Sequence, residues 1–456
     1  MSTIDTAVSA LNSGLAGRII HPGAGDYDTE RAVMYGGFDL RPGAIVRVKS
    51  AGDIVRAVNA AREAGVELAV RSGGHSNAGH SSTDGGLVID LRDMKGIELD
   101  EATRTVWAET GVTAQELTEA TTARNLVVGF GDTGSVGIGG ITLGGGVGYL
   151  SRKHGLTIDS LLAAEIVTAN GRLLTVDATH EPDLFWAIRG GGGNFGVAVR
   201  FKYQLQELRD FTGGMICLPA TAETIAGWVA AAEAAPEELS TILNVMPAPP
   251  MPFLAEELHG KLVLLGMVAF AGDSEAAQGA LAPFRALAAP YADFIQAGPY
   301  LSMYPPEDDD YHPTAASRTL FMNRIKVGEA QQIVDTLTNA TASFRVTQIR
   351  ILGGAIARVP EDATAYAHRS APIMINVAAF YEGPDDGVKQ TAWVEDYAAA
   401  LKQDEAGAYV NFLGLEAPER INAAYPAATL RRLRQIKKRY DPQNLFRRNQ
   451  NIVPAE

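Results

Sequence analysis

A single cysteine, Cys217, stands in a chain of 456 residues. One thiol closes no intramolecular disulfide and builds no cysteine metal site, and no metal is expected. A reducing compartment fits that count, and a chain this long buries large cores without covalent staples. Positive charge is also in deficit. Lys and Arg number 39 against 53 Asp and Glu, a formal net charge of −14, which argues against nucleic acid or an anionic membrane as partner. No apolar run of about 18 residues occurs, so no membrane-spanning helix is expected. Residues 1–18 lack a basic segment followed by an apolar run, so no signal peptide is expected and a cytoplasmic location is. Between residues 208 and 405 only Trp228 and Trp393 fall, so a sugar-binding groove faced with exposed aromatics is not favoured. Met246, Leu264 and Met374 in that stretch suggest an apolar pocket, although most such residues are ordinary core.

What is present is the ordinary mixture of a globular protein, 46% hydrophobic and 20% charged. At ~100–200 residues per domain the length suggests two or three compact units. Residues 40–205 alternate β-branched runs with helical stretches and glycine clusters. Residues 44–48, 68–71 and 87–91 read as strands. Residues 50–65 read as a helix, with Asp53 in its first turn and apolar positions at Ile54, Val55, Val58 and Ala61. This alternation predicts an α/β or α+β domain. Residues 208–405 have fewer glycines, alanine-rich helices and strands such as 261–264. Segments 246–253 and 305–313 read as loops. A basic helix then runs up to Arg431–Arg439, and no repeats occur.

Three glycine clusters demand an explanation: 71–76 (Arg-Ser-Gly-Gly-His-Ser), 134–148, which is more than half glycine, and 190–196 (Gly-Gly-Gly-Gly-Asn-Phe-Gly). Such density costs backbone entropy. Tight turns are one reason for it; a ligand approached closely by backbone N–H groups is the other, and three clusters favour the ligand. Gly191, Gly193 and Gly196 match G-x-G-x-x-G, but a helical pattern precedes them at 182–189 and a strand follows at 197–201. The dinucleotide fingerprint needs the reverse order, so that reading is rejected.

At these residues the chain resembles the berberine-bridge-enzyme-like flavin oxidases of the vanillyl-alcohol-oxidase, or PCMH-type, fold. The resemblance is carried by Arg71-Ser72-Gly73-Gly74-His75, Gly137-Ile138-Gly139-Gly140, Gly144-Gly145-Gly146-Val147-Gly148, residues 183–190 (Asp-Leu-Phe-Trp-Ala-Ile-Arg-Gly), and the closing segment 440–446 with Asn449 and Asn451. It implies an α+β architecture. A PCMH-type FAD-binding domain of two α/β subdomains is expected over 1–207. A substrate domain of antiparallel sheet covered by helices is expected over 208–414, and 415–456 returns to the FAD domain. It also implies FAD lying along Arg71, Ser72, Gly73, Gly74, Ser76, Gly131, Val136, Gly137, Gly139, Gly140, Gly144, Gly146, Gly148, Gly196, Val197, Asn449 and Asn451. His75 matches the position that carries a covalent 8α-histidyl bond. Thr133 stands where bicovalent relatives have cysteine, so no cysteinyl bond forms. Val136 matches a position that admits oxygen to the flavin when it is valine.

The activity implied is oxidation of a CH–OH or CH–NH carbon of a small organic substrate, with O2 reduced to H2O2. A flavin dehydrogenase or biosynthetic oxidative cyclase with poor oxygen use remains a second reading, and an NADPH-dependent reductase a third. Candidate catalytic residues are Tyr409, Tyr366, His368 and Asn411, with Tyr300 a further tyrosine. Several plant relatives have a catalytic tyrosine where this chain has Phe412, so that base is missing and alcohol and amine substrates both stay open. Residues 353–360, followed by 365–369, are expected as a strand and loop facing the flavin, and 409–412 as a returning strand. The oligomeric state, monomer or homo-oligomer, is left open.

Overall fold

The computed structural model describes residues 2–12, 14–304, 306, 311–403, 407–416 and 420–456. Three larger sheets organise the chain, giving the mixed α+β architecture expected. In the first, Arg18–Ile20 runs antiparallel to Ala44–Arg47, which pairs in parallel with Leu87–Asp90, and that strand in parallel with Leu68–Arg71. The helix Ala51–Ala64 covers it. Ser50 caps that helix by accepting from the Asp53 amide, and Gly65 ends it at φ 66°. Its buried stripe of Ile54, Ala57, Val58 and Ala61 meets the sheet at Val46, Leu68 and Ile89.

The second sheet is antiparallel, in the order Ile97–Asp100, Thr105–Glu109, Val197–Gln204, Leu161–Val167, Leu173–Asp177. Helix Pro182–Ile188 precedes strand Val197–Gln204, the order that rejected a dinucleotide fingerprint.

The third sheet has eight strands, all antiparallel. Its long members are Thr212–Pro219, Leu262–Phe270, Leu239–Pro247, Arg345–Ile351, Ile373–Phe380 and Ala315–Met322. Period-two alternation sorts their side chains. Thr347, Ile349, Ile375 and Val377 turn into a core completed by helices Ala222–Ala234, Ser274–Arg285, Val327–Asn339 and Gly383–Leu401, with Trp228 packed edge-on against Phe284. Gln348, Arg350, Asn376 and Ala378 turn the other way, into a cavity. Arg152 joins this layer to the glycine-rich part. Its guanidinium donates to the carbonyls of Ala232 at 2.7 Å and Ala235 at 2.9 Å, where helix Ala222–Ala234 ends.

Several local expectations are corrected. Residues 409–412 form no strand: Val410–Phe412 is one 3₁₀ turn, because the Asn411 side chain curls back onto Tyr409 and the Ile141 carbonyl. Residues 353–360 carry a single helical turn, Ala355–Arg358, started by Gly354 at φ 55°. Met246 and Pro247 belong to strand Leu239–Pro247 rather than to a loop, since they pair with Val263 and Leu262. In the loop expected at 305–313, residues 305 and 307–310 lie outside the described residues.

Candidate active site

A cavity of about 760 Å³ lies between the glycine-rich loops and the open face of the eight-stranded sheet. Strand Leu68–Arg71 delivers one wall. Arg71 is buried behind it; its guanidinium donates to the carbonyls of Glu30, Arg31 and Ser81 and lies 3.7 Å from Asp90. Burial pulls the Arg71 pKa down to about 10, with Asp90 opposing. This residue supports the following loop and is not in the lining. Ser72, Gly73, Gly74, His75 and Ser76 are. Gly74 turns at φ 80°, in the left-handed region. A Cβ on Gly73 would lie 2.3 Å from the Gly137 amide nitrogen, and one on Gly137 2.1 Å from Ser72 Oγ. The two loops therefore close back to back only as glycines. Ser72 seals them by donating to the Thr110 carbonyl and accepting from the Gly139 amide at 3.2 Å. His75 Nε2 lies 2.8 Å from Ser135 Oγ.

The second glycine run divides in two. Gly137, Gly139, Gly140, Gly131 and Val136 line the cavity, and helix Ile138–Gly144 starts at Gly137. Gly144, Gly146 and Gly148 do not line it. Their missing side chains make room for protein: a Cβ there would meet Asn411 Oδ1 at 2.0 Å, Thr157 Oγ1 at 2.0 Å and the Phe130 carbonyl at 1.6 Å. From the third cluster Gly192, Gly193, Asn194 and Gly196 reach the lining, and from the C-terminus Arg448, Asn449 and Gln450. Val197 and Asn451 stand outside it; Val197 is core of the first sheet's cluster.

The floor comes from residues the sequence did not single out. Arg350 is buried and pairs with Asp132 at 2.5 Å. It also donates to Gln348 Oε1, and its guanidinium lies 4.9 Å from the Phe412 ring centre. Gln348 donates in turn to Asn244 Oδ1 at 3.0 Å. Across the ladder from Gln348 sits Asn376, whose Oδ1 is buried with no partner among the described residues. Tyr35 joins this group in the lining, and burial, with Asp132 adding, pushes its phenol pKa up. Asn376 had a readable signal, a lone amide in the apolar strand Ile373–Phe380; Asp132 had one in its place beside Gly131. Met246, Leu264 and Met374 are all buried in hydrophobic clusters away from the lining, so they are ordinary core rather than the walls of an apolar pocket.

Tyr409 and Asn411 both line the cavity. The Tyr409 hydroxyl accepts from the Gly146 amide at 2.9 Å and from Asn411 Nδ2 at 2.9 Å, so its oxygen is held toward the glycine run. Burial pushes its pKa up while these donors pull it down. Tyr366 and His368 do not line the cavity. Tyr366 is buried edge-on against Tyr409, and burial pushes its phenol pKa well up. His368 donates from Nε2 to the carbonyls of Ala423 at 2.9 Å and Ala424 at 3.1 Å, and burial lowers its pKa. Tyr300 is buried against Phe211 and Tyr304.

These walls fit an extended, polar-ended cofactor. A Cβ built on Gly140 or Gly193 meets nothing within 4 Å, so backbone itself forms the wall there. Ser81 Oγ in the buried lining has no partner among the described residues, and neither has Asn449 Oδ1. Such orphaned acceptors and donors call for a ligand or water.

Residues 42–177 match a family model described as an FAD binding domain, and residues 408–453 one described as berberine and berberine like. The (R)-6-hydroxynicotine oxidase of Paenarthrobacter nicotinovorans is 29% identical over 96% of this chain and 97% of its own length. The xylooligosaccharide oxidase of Thermothelomyces thermophilus is 30% identical over 91% of this chain and 88% of its own. A crystal structure of 6-hydroxy-D-nicotine oxidase from Arthrobacter nicotinovorans superposes with a TM-score of 0.86, covering 97% of this chain and 98% of that one at 27% identity. The chain belongs to the berberine-bridge-enzyme-like FAD-linked oxidoreductases, and it is an enzyme with FAD as its cofactor.

Proposed function

We propose that this enzyme is an oxidase that takes hydride from a CH–OH or CH–NH carbon of a small, hydrogen-bonding molecule and passes the electrons to dioxygen, giving hydrogen peroxide. Its FAD is tethered through His75. One observation carries the reading: a single cavity joins the Ser72–Ser76 loop, with His75, to a polar floor of Gln348, Arg350 and Asn376. FAD, when bound, supplies the hydride-accepting N5 and the path of the electrons to oxygen.

The chain's own residues bind, orient and exclude. Residues 1–207 and 415–456 hold the cofactor, and 208–414 supply the floor. The Ser72–Ser76 loop and Gly137–Gly140, with Gly131, Gly196 and Asn449, are the lining residues that would hold FAD, and their backbone amides would supply donors for its phosphates. Asn376 Oδ1 takes a hydrogen from the substrate's O–H or N–H. Asp132 and Gln348 hold Arg350 still, so its guanidinium presents a fixed charge. A neutral amine needs no strong base. An alcohol does, and the carboxylate for it among the described lining residues is Asp132. Val136 in the lining supports access of oxygen.

The test has two parts. Acid precipitation is expected to carry the yellow colour into the pellet, and His75→Ala to release it; colour in the wild-type supernatant refutes the tether. A panel of alcohols, amines and phenols with a peroxide readout is then expected to give turnover. Fast anaerobic bleaching with slow reoxidation in air would instead make the protein a dehydrogenase or oxidative cyclase, and bleaching by NADPH a reductase.

A further inference from the structure

We propose that Ser135 is the positioning residue for the covalent attachment, holding the His75 ring through Nε2 so that the bond to carbon forms at Nδ1. The inference rests on the tether proposed above.

Two observations carry it. The first is the 2.8 Å contact between Ser135 Oγ and His75 Nε2. The second is the rigidity of the frame that makes it. Backbone bonds from Ala114 to the Val136 carbonyl and from Gln115 to the Gly134 carbonyl, both 2.9 Å, fix the 134–136 segment on the start of helix Ala114–Thr122. The Gly73–Gly137 approach then locks that segment against the His75 loop. Neither the loop nor the hydroxyl has to move to find its partner.

The chemistry explains why a hydroxyl suits the place. Joining the ring to the flavin 8α carbon replaces one C–H and one imidazole N–H by a C–N bond. The two hydrogens and two electrons leave to dioxygen as hydrogen peroxide, so the step balances. Before it, Nε2 carries the hydrogen and donates; after it, Nε2 has lost that hydrogen and accepts. A carbonyl or carboxylate serves only the first state and an ammonium only the second. A serine hydroxyl has one hydrogen and two lone pairs and turns to serve both. Fixing one imidazole nitrogen by a hydrogen bond is also the ordinary way of choosing the tautomer at the other.

The test uses apoprotein mixed with FAD in air, with the acid-stable flavin fraction followed over time. Ser135→Ala is expected to slow attachment by about 10- to 100-fold, taking as the guide the loss seen when the hydrogen-bonded partner of a metal-ligating histidine is removed. Ser135→Thr keeps the hydroxyl and is expected to restore the rate. An alanine variant that binds FAD and attaches it at the wild-type rate overturns the proposal, whereas a wild type with no acid-stable flavin overturns the tether beneath it. A second measurement does not depend on any variant folding. NMR of the flavin peptide cut from wild-type enzyme is expected to show the bond at Nδ1, and a bond at Nε2 would overturn the assignment.

Discussion

Lys437→Met removes one nitrogen from the joint that closes the C-terminus onto the cavity. Lys437 Nζ donates to the Asn194 carbonyl at 2.7 Å, to Asp441 Oδ2 at 2.7 Å and to the Phe446 carbonyl at 2.8 Å. Both charged side chains are 0% exposed. Burial lowers the Lys437 pKa and Asp441 opposes that shift. Methionine fills nearly the same volume, so packing changes little. What goes is the only cation paired, among the described residues, with a carboxylate that keeps two backbone donors, Leu445 and Phe446, each at 2.8 Å. Breaking a buried pair from one side costs about 3–5 kcal/mol. Asp441→Asn added to it removes the stranded charge while retaining an acceptor for one of those two amides, so the double variant is expected to be more stable than the single one. Urea unfolding followed by tryptophan fluorescence measures this, since Arg432 of the same helix stacks 4.0 Å from the Trp186 ring centre. A single variant that loses less than about 1 kcal/mol, or a double variant no better than the single, refutes the reasoning. Asn194 shares the turn Gly192–Asn194 with the cavity wall, so weaker FAD retention should accompany the loss.

Gly137→Ala is expected to leave the fold intact and abolish FAD loading, read as the ratio of flavin to protein absorbance, because its Cβ would sit 2.2 Å from the Gly73 amide nitrogen. Arg350→Met should lower kcat/KM at least about tenfold, roughly 1.4 kcal/mol, in steady-state assays on a substrate found by the peroxide panel; an unchanged value would remove the floor from substrate recognition. Burial, with Arg448 beside it, lowers the His80 pKa to about 4, and burial, with Lys153 nearby, does the same for His154. An unfolded histidine titrates near 6.5. Between those values the unfolded chain binds more protons, so the stability linked to these neutral histidines is complete above about pH 6.5 and is lost as pH falls toward 4. Urea midpoints across that range should decline, and His154→Asn should flatten the decline.

The strands Ala44–Arg47, Leu68–Arg71 and Leu87–Asp90 and the helix Ala51–Ala64 lie within about a residue of where periodicity and capping put them, because both signals involve near neighbours. The glycine loops were legible for the same reason: a backbone that must approach another within contact distance has to lack side chains wherever it folds. Sequence alone did not separate Gly137, Gly139 and Gly140, which line the cavity, from Gly144, Gly146 and Gly148, which make room for Asn411, Thr157 and Phe130. Nor did it show that Tyr409 turns its oxygen onto the Gly146 amide, which is 263 positions away. The floor is the clearest case. Alternation along Arg345–Ile351 puts Gln348 and Arg350 on one face, but a strand does not record which face the helices will cover. Asp132 meets Arg350 across 218 residues of chain. Local chemistry wrote the cofactor loops into the sequence; the substrate side exists only after long-range sheet pairing, because each of its groups takes its meaning from a partner that no sequence window contains.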